Sequence, residues 1–247
     1  MERLVRFYRR HACFTKSKNI YSCGSGTPAP SCATVKIRIL IFALAALAGL
    51  LPASRAESGP NPKQTLVDKA LRDFEAKKFD EALTNLQEAE KLDPDSAFVL
   101  NLIGAAYTKK KDYPAAKSYF DKALSSDSGF FPAMFNCGEL LFLQKKYPQA
   151  LEYFTRMLSN DPGHELLQFK VVLCLILTNQ MEDAQKLASR IKFPGDGPAW
   201  YFVQAALKLQ EGNKRKAVAL ITNAQTLFPG RTSLFEETFI DLGWPVK

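Results

Sequence analysis

Alanine returns along this chain at Ala82, Ala116, Ala150, Ala184 and Ala217, at spacings of 34, 34, 34 and 33 residues. A second column of mostly small residues, Ala70, Gly104, Gly138, Val172 and Ala205, runs in the same phase, and a third follows as Ala89, Ala123, Met157, Ile191 and Ala224. Rings recur at Phe79, Tyr113 and Tyr147, and prolines at Pro94, Pro162 and Pro229. Three columns in register are not an accident of composition. A period of this length marks a stack of equal units, each too small to bury its own apolar face and each covered by its neighbours.

The units resolve into pairs of helices. In the second, Ala97–Lys109 carries Leu100, Ile103, Gly104 and Tyr107 at three-and-four spacing, the signature of one apolar stripe on a helix. After a polar KKKDY turn, Pro114–Ser125 does the same with Ala116, Tyr119, Phe120, Ala123 and Leu124. The small residues Gly104 and Ala116 are expected where the two helices cross, since a larger side chain would hold the axes apart. A helix of a dozen residues is marginal alone in water, so each pair needs the next.

The unit resembles the tetratricopeptide repeat (TPR), a helix–turn–helix of 34 residues. The second and third units carry the resemblance best, through Leu100, Gly104, Tyr107, Ala116, Phe120 and Ala123 in one and Gly138, Tyr147, Ala150, Phe154 and Pro162 in the other. The resemblance implies an all-α, right-handed superhelical solenoid of about five TPR units, at 63–96, 97–130, 131–164, 165–197 and 198–229, closed by a C-terminal capping helix over 230–247. The fourth unit departs most: Val172 replaces the small residue, its second helix is short, and Pro194–Pro198 (PGDGP) interrupts it. In the tail, Ser233 and Glu236 form a capping-box pattern, and Gly243 with Pro245 reads as a stop signal. The amphipathic helix between them, with Leu234, Phe235, Phe239, Ile240 and Leu242, is expected to cover the last unit's apolar face, or else to dock on a partner.

The formal charge of +8 belongs to the first 56 residues, which hold nine Lys and Arg against one acidic residue. The remaining 191 balance 24 basic against 24 acidic, which removes the bulk-charge argument for nucleic acid. In that leader Lys36 and Arg38 precede the uncharged run Ile39–Leu51, followed by Ser54-Arg55-Ala56. This is the pattern of a signal peptide over 35–56 with cleavage after Ala56, implying export to a periplasmic or extracellular space. At ~1.5 Å per residue the run spans about 20 Å, short of a bilayer core. The competing reading keeps 39–51 as an uncleaved membrane anchor. Residues 1–34 read as an unstructured leader or as sequence upstream of a start at Val35, and 57–62 as a linker.

No phosphate loop, nucleophile elbow or CxxC occurs in the repeat region, so neither cofactor nor metal nor catalysis is expected. Cys137 and Cys174 lie in apolar helical stretches and read as buried free thiols, with a disulfide as the alternative; His164, in an inter-repeat turn, reads as ordinary surface. Glu139 and the other carboxylates show no basis for pairing. Lysines gather at the turns, at Lys77-Lys78, Lys109–Lys111, Lys145-Lys146 and Lys214-Arg215-Lys216. They are either simply exposed polar turns or a stripe that makes weak contact with an anionic membrane surface.

The TPR resemblance further implies a concave groove lined by the first helix of each pair. The residues that would face it are Phe98, Asn101, Phe135, Glu139, Phe142, Leu166, Phe169, Leu173, Ile176 and Phe202, most of them apolar. Asn101 and Ala105 stand where the subset that clamps a terminal carboxylate would need Lys and Asn, so that mode is not expected. An apolar groove suits a protein or peptide partner such as an amphipathic helix, and aspartate at Phe135 or Phe169 is expected to abolish capture without unfolding the chain. The run Val171–Leu177 is apolar all round and must be covered on both faces, by neighbours or by a partner. The sequence sets no oligomeric state. The resulting expectation is an exported, non-enzymatic adaptor or scaffold in envelope assembly.

Overall fold

A computed structural model of the chain describes residues 61–193, 195 and 197–247. The leader, the signal-like segment 35–56, its hydrophobic run 39–51 and most of the linker 57–62 lie outside the described residues. Among the described residues there are eleven α-helices and no strand. Five pairs make up the stack: α1 (Pro62–Glu75) with α2 (Phe79–Leu92), α3 (Ala97–Lys109) with α4 (Tyr113–Ser126), α5 (Phe131–Leu143) with α6 (Tyr147–Asn160), α7 (Glu165–Leu177) with α8 (Met181–Ala188), and α9 (Ala199–Gln210) with α10 (Lys214–Leu227). A final helix, α11, spans Ser233–Asp241. Helices pack chiefly on their sequence neighbours, and first helices also touch across units, as α3 does α5 and α7 does α9. That is the contact pattern of a solenoid.

The turn inside each pair is the same device five times. Lys77, Lys111, Lys145, Asn179 and Gly212 sit in the left-handed region, at φ 60°, 63°, 60°, 60° and 75°. The next residue's N–H reaches back to a carbonyl of the first helix, as in Lys78 N to Asp73 O (2.8 Å), Asp112 N to Tyr107 O (2.9 Å) and Asn213 N to Lys208 O (2.8 Å). This six-to-one bond of a Schellman motif occupies an orphan carbonyl and redirects the chain. Asp112 and Asn213 then cap the second helix by accepting from the N–H groups of Ala115 and Lys216.

The small-residue column has a more specific partner than the facing alanine. A Cβ on Gly104 would lie 2.5 Å from Phe120 Cε1, and one on Gly138 would lie 2.6 Å from Phe154 Cε1. The ring sixteen residues on is therefore what the glycine admits, rather than Ala116. The same offset in the fourth unit runs from Val172 to Ala188, and both are buried in one cluster, a larger residue matched by a smaller one. The short α8 leaves Ile191, beyond its end, buried.

Burial is heaviest in the C-terminal half. Every residue from Val171 to Ile176 is buried, and what covers α7 on both faces is the chain itself: α6, α8 and α9 together with aromatic side chains of α11. Cys137 and Cys174 are buried free thiols, which burial pushes up to about 11 and about 12 respectively. Among the described residues no helix is long and apolar enough to cross a membrane.

Candidate functional site

The surface formed by α3, α5, α7 and α9 is the face expected to receive a partner, and it is occupied. Helix α11 lies across it. Phe235 sits 4.9 Å from the ring of Phe169 and 5.2 Å from that of Phe202, and Phe239 sits 5.9 Å and 5.5 Å from the same two rings. One turn separates the two phenylalanines, so both fall on one side of α11. Both are buried, Phe239 completely. From another side of α11, Glu237, between the two phenylalanines in sequence, reaches α3 in an ion pair with Lys109.

Local sequence makes this helix and ends it. Thr232 occupies the N-cap without a side-chain capping bond. The expected capping box of Ser233 and Glu236 is therefore not formed; Ser233 is already helical, and Glu236 accepts from Gln225 Nε2 on α10 (3.2 Å). The stop at Gly243 is a Schellman closure, with φ 71° and Trp244 N bonded to Phe239 O at 2.7 Å. The Trp244 ring then packs edge-on against Phe239 at 5.2 Å, the apolar contact that accompanies this motif.

Beside the Phe142 ring lies a buried charge. Lys170 on α7 has a side chain only 2% exposed, and it donates to Glu139 Oε2 on α5 and to Thr238 Oγ1 on α11, both at 2.7 Å. Its ammonium also stands 4.8 Å from the centre of the Phe142 ring. Thr238 passes its own proton to Leu234 O (2.9 Å), leaving its oxygen lone pairs for the lysine. A buried ammonium is tolerated only with such partners. Glu139 Oε1 is buried without a hydrogen-bond partner. Burial holds the Glu139 carboxyl above the usual range, Lys170 opposes this, and Asp241 and Glu237 of α11 add to it. Asp241 is raised in the same way, by burial and by Glu237, against Lys109 and Lys170. These five charged groups line a cleft of about 90 Å³ with Ala105, Asn136 and Leu166.

Several expectations need correction at this face. The ten predicted groove residues do not line an open trough. Phe98 is half-buried between the first two units, Glu139 pairs with Lys170, and Asn101, Phe135, Phe142, Leu166, Phe169, Leu173, Ile176 and Phe202 are all buried. Phe142 packs against Tyr147 (5.3 Å) and Phe135 against Phe154 (5.6 Å), inside the stack, so aspartate at Phe135 or Phe169 reports on folding rather than on capture. Asn101 accepts from Asn136 Nδ2 (2.9 Å), while its own buried Nδ2 has no partner. The tail helix is not a cover for the last unit alone, because it runs back over four. His164 is not ordinary surface: its Nδ1 accepts from Leu167 N (3.3 Å) as the N-cap of α7, and its ring lies 5.2 Å from Phe131. The turn lysines are exposed, and Lys110 is paired with Asp80.

Sequence reasoning did not single out Lys170 or Thr238, and it placed Lys109 only among the turn lysines, not as the partner of Glu237. The available signal was Lys170 itself, the one charge inside Phe169–Leu177, a helix otherwise apolar all round. Such a residue demands an acid on a neighbouring element, and Glu139, nearly one period earlier, supplies it.

Comparison with known proteins agrees with this architecture. Tetratricopeptide-repeat family profiles match residues 70–111, 109–165 and 141–207. No curated protein matches the sequence. A tetratricopeptide repeat protein from Parabacteroides merdae superposes with a TM-score of 0.59 at 17% identity, over 72% of this chain and 70% of that one. A TPR protein of Thermus thermophilus gives 0.58 at 17% identity, over 73% and 98%. PilW, described as a type IV pilus biogenesis factor, gives 0.57 at 17% identity, over 74% and 87%. The chain belongs to the tetratricopeptide-repeat family, and its fold is the helical solenoid of that family.

Proposed function

We propose that the protein is an exported scaffold that binds a protein or peptide partner on the first-helix face of its repeat stack, carries out no chemistry of its own, and serves envelope assembly. The observation that carries the binding reading is the seating of α11: the face accepts an amphipathic helix through two aromatic side chains, one buried hydrogen bond and one ion pair. Helix in groove is an established way for such faces to bind. Export rests on the three-part pattern of residues 35–56. Among proteins of this fold PilW acts in pilus biogenesis, which makes envelope assembly the first setting in which to seek the partner.

Fractionation with N-terminal sequencing tests the export half. A mature chain beginning at Glu57 outside the cytoplasmic membrane supports the secreted scaffold. A chain that sediments with membranes and retains 39–51 supports the tethered reading instead. Co-purification from envelope extract tests the binding half. The expected result is one stoichiometric partner that is lost when the first-helix face is altered at its rim by Lys109→Glu.

A further inference from the structure

We infer that α11 is a displaceable resident of the first-helix face, and that the partner is an amphipathic helix presenting two bulky apolar residues four positions apart with an oxygen-bearing residue immediately before the second. This rests on the binding reading above and specifies its ligand.

The chemistry is written in how α11 is held. Phe235 and Phe239 supply the apolar pair, and Thr238, just before the second, gives Lys170 an oxygen acceptor. Lys170 belongs to the stack, not to α11, and its remaining contacts, to Glu139 and the Phe142 ring, are made within the stack. Loss of Thr238 leaves an ammonium N–H without a partner, which is costly in a dry site. An incoming helix must therefore bring an acceptor to the same point, and a purely apolar one is rejected. Lys109 at the rim, half exposed, adds a preference for an acid one position ahead of that acceptor, where Glu237 stands.

Displacement is built in because the attachment is made by side chains along one stripe of a nine-residue helix. Its outward side is bare: Ile240 is 60% exposed. Beneath its acidic edge the fit is incomplete, with the 90 Å³ cleft and the unpartnered Glu139 Oε1 lying between α11 and α5. Three carboxylates, Glu139, Glu237 and Asp241, face one another there with two ammonium groups between them. Docked, α11 sets Glu237 and Asp241 near Glu139, with Lys109 and Lys170 offsetting part of that negative charge.

The probe is a fluorescent synthetic peptide of residues 230–247, titrated into the full chain. Wild type is expected to bind it at least ~100-fold more weakly than the full-length variant Phe235→Asp/Phe239→Asp, whose own helix can no longer dock. A peptide carrying Thr238→Val should lose about tenfold or more on that variant, the loss of a hydrogen bond to a buried charge, and one carrying Glu237→Lys should lose less and do so chiefly at low salt, as expected for a rim charge. Hydrogen exchange on unmutated protein supplies an independent reading if the variant loosens the stack. Amides of Phe239 and Ile240 should open at least ~100-fold more often than those of Val172 and Leu173. Equal protection of the two sets, or a helical variant that ignores the peptide, overturns the inference. So does a wild-type dimer in which α11 sits on a second copy. If protection is equal yet a partner still co-purifies, the inference fails and the scaffold reading stands. If α11 opens and the peptide binds but no envelope partner binds either form, it is the scaffold reading that fails.

Discussion

Alanine in place of Gly138 asks two effects of opposite sign to compete at one atom. A glycine in mid-helix is about 1 kcal/mol worse than alanine, so propensity alone predicts that Gly138→Ala stabilises α5. The structure predicts the reverse. The new Cβ would lie 2.6 Å from Phe154 Cε1, 2.9 Å from Cζ and 3.1 Å from Cδ1. Ordinary carbon contact begins near ~3.5 Å, so the ring must retreat by about 1 Å. It has nowhere to go, since Phe154 is fully buried with Phe135 beside it at 5.6 Å. Overpacking of that kind costs ~1–3 kcal/mol, and subtracting the propensity gain of about 1 kcal/mol leaves ~0–2 kcal/mol, centred on about 1 kcal/mol of net destabilisation. In a thermal melt followed by circular dichroism the midpoint should fall by ~2–4 °C. In a Phe154→Leu background the same change should become neutral or stabilising, giving a coupling of about 2 kcal/mol in the double-mutant cycle. A rise in melting temperature in both backgrounds would refute the close packing of glycine on ring, and with it the physical reason for the repeated small column.

Three further outcomes follow from other parts of the stack. Lys111→Gly and Lys145→Gly should each raise stability by about 0.5–1 kcal/mol in urea denaturation, because a lysine in the left-handed region costs roughly 1–2 kcal/mol and glycine gives part of that back as chain entropy; alanine at the same sites should give no gain. The Cys137 and Cys174 thiols are raised above the ordinary 9.0, to about 11 and about 12, by burial. Their contribution is complete below pH 9 and is lost as pH rises through the folded values, because the unfolded thiols ionise first. Stability should decline more steeply between pH 9 and 11 in wild type than in Cys174→Val, a contrast read from denaturation midpoints across that range. Lys170→Ala should destabilise by about 3 kcal/mol by leaving Glu139 without its cation, while Lys170→Met paired with Glu139→Gln should recover much of that, as judged by equilibrium unfolding.

The repeat made the fold legible because its columns mark contacts that every unit must make: Ala82, Ala116, Ala150, Ala184 and Ala217 are all fully buried. Helices, turns and the fourth unit's departure at Val172 follow from the same periodicity. The site was harder to read because α11 is joined to the stack by contacts with no period. Nothing in the spacing of Phe235 and Phe239 says which face they meet, and a tail helix can satisfy its apolar stripe on any exposed end of a solenoid. Register with the family places the groove residues on the first helices, where they lie, but does not say that the chain covers them itself. Glu139 looks unpaired in the sequence because its cation lies 31 residues away on another helix, a pairing that only superhelical packing creates.

Zero-length carbodiimide cross-linking addresses the docking of α11 most directly, because it joins an ammonium to a carboxylate only where the two already touch. The Lys109–Glu237 ion pair is exposed enough to react and joins α3 to α11 across the whole first-helix face. With an equal mixture of unlabelled and nitrogen-15-labelled full-length chains, mass spectrometry should find an amide link between Lys109 and Glu237 in which both halves carry the same label. Absence of that link, or a link that mixes the labels, would contradict a stack whose binding face is filled by its own last helix.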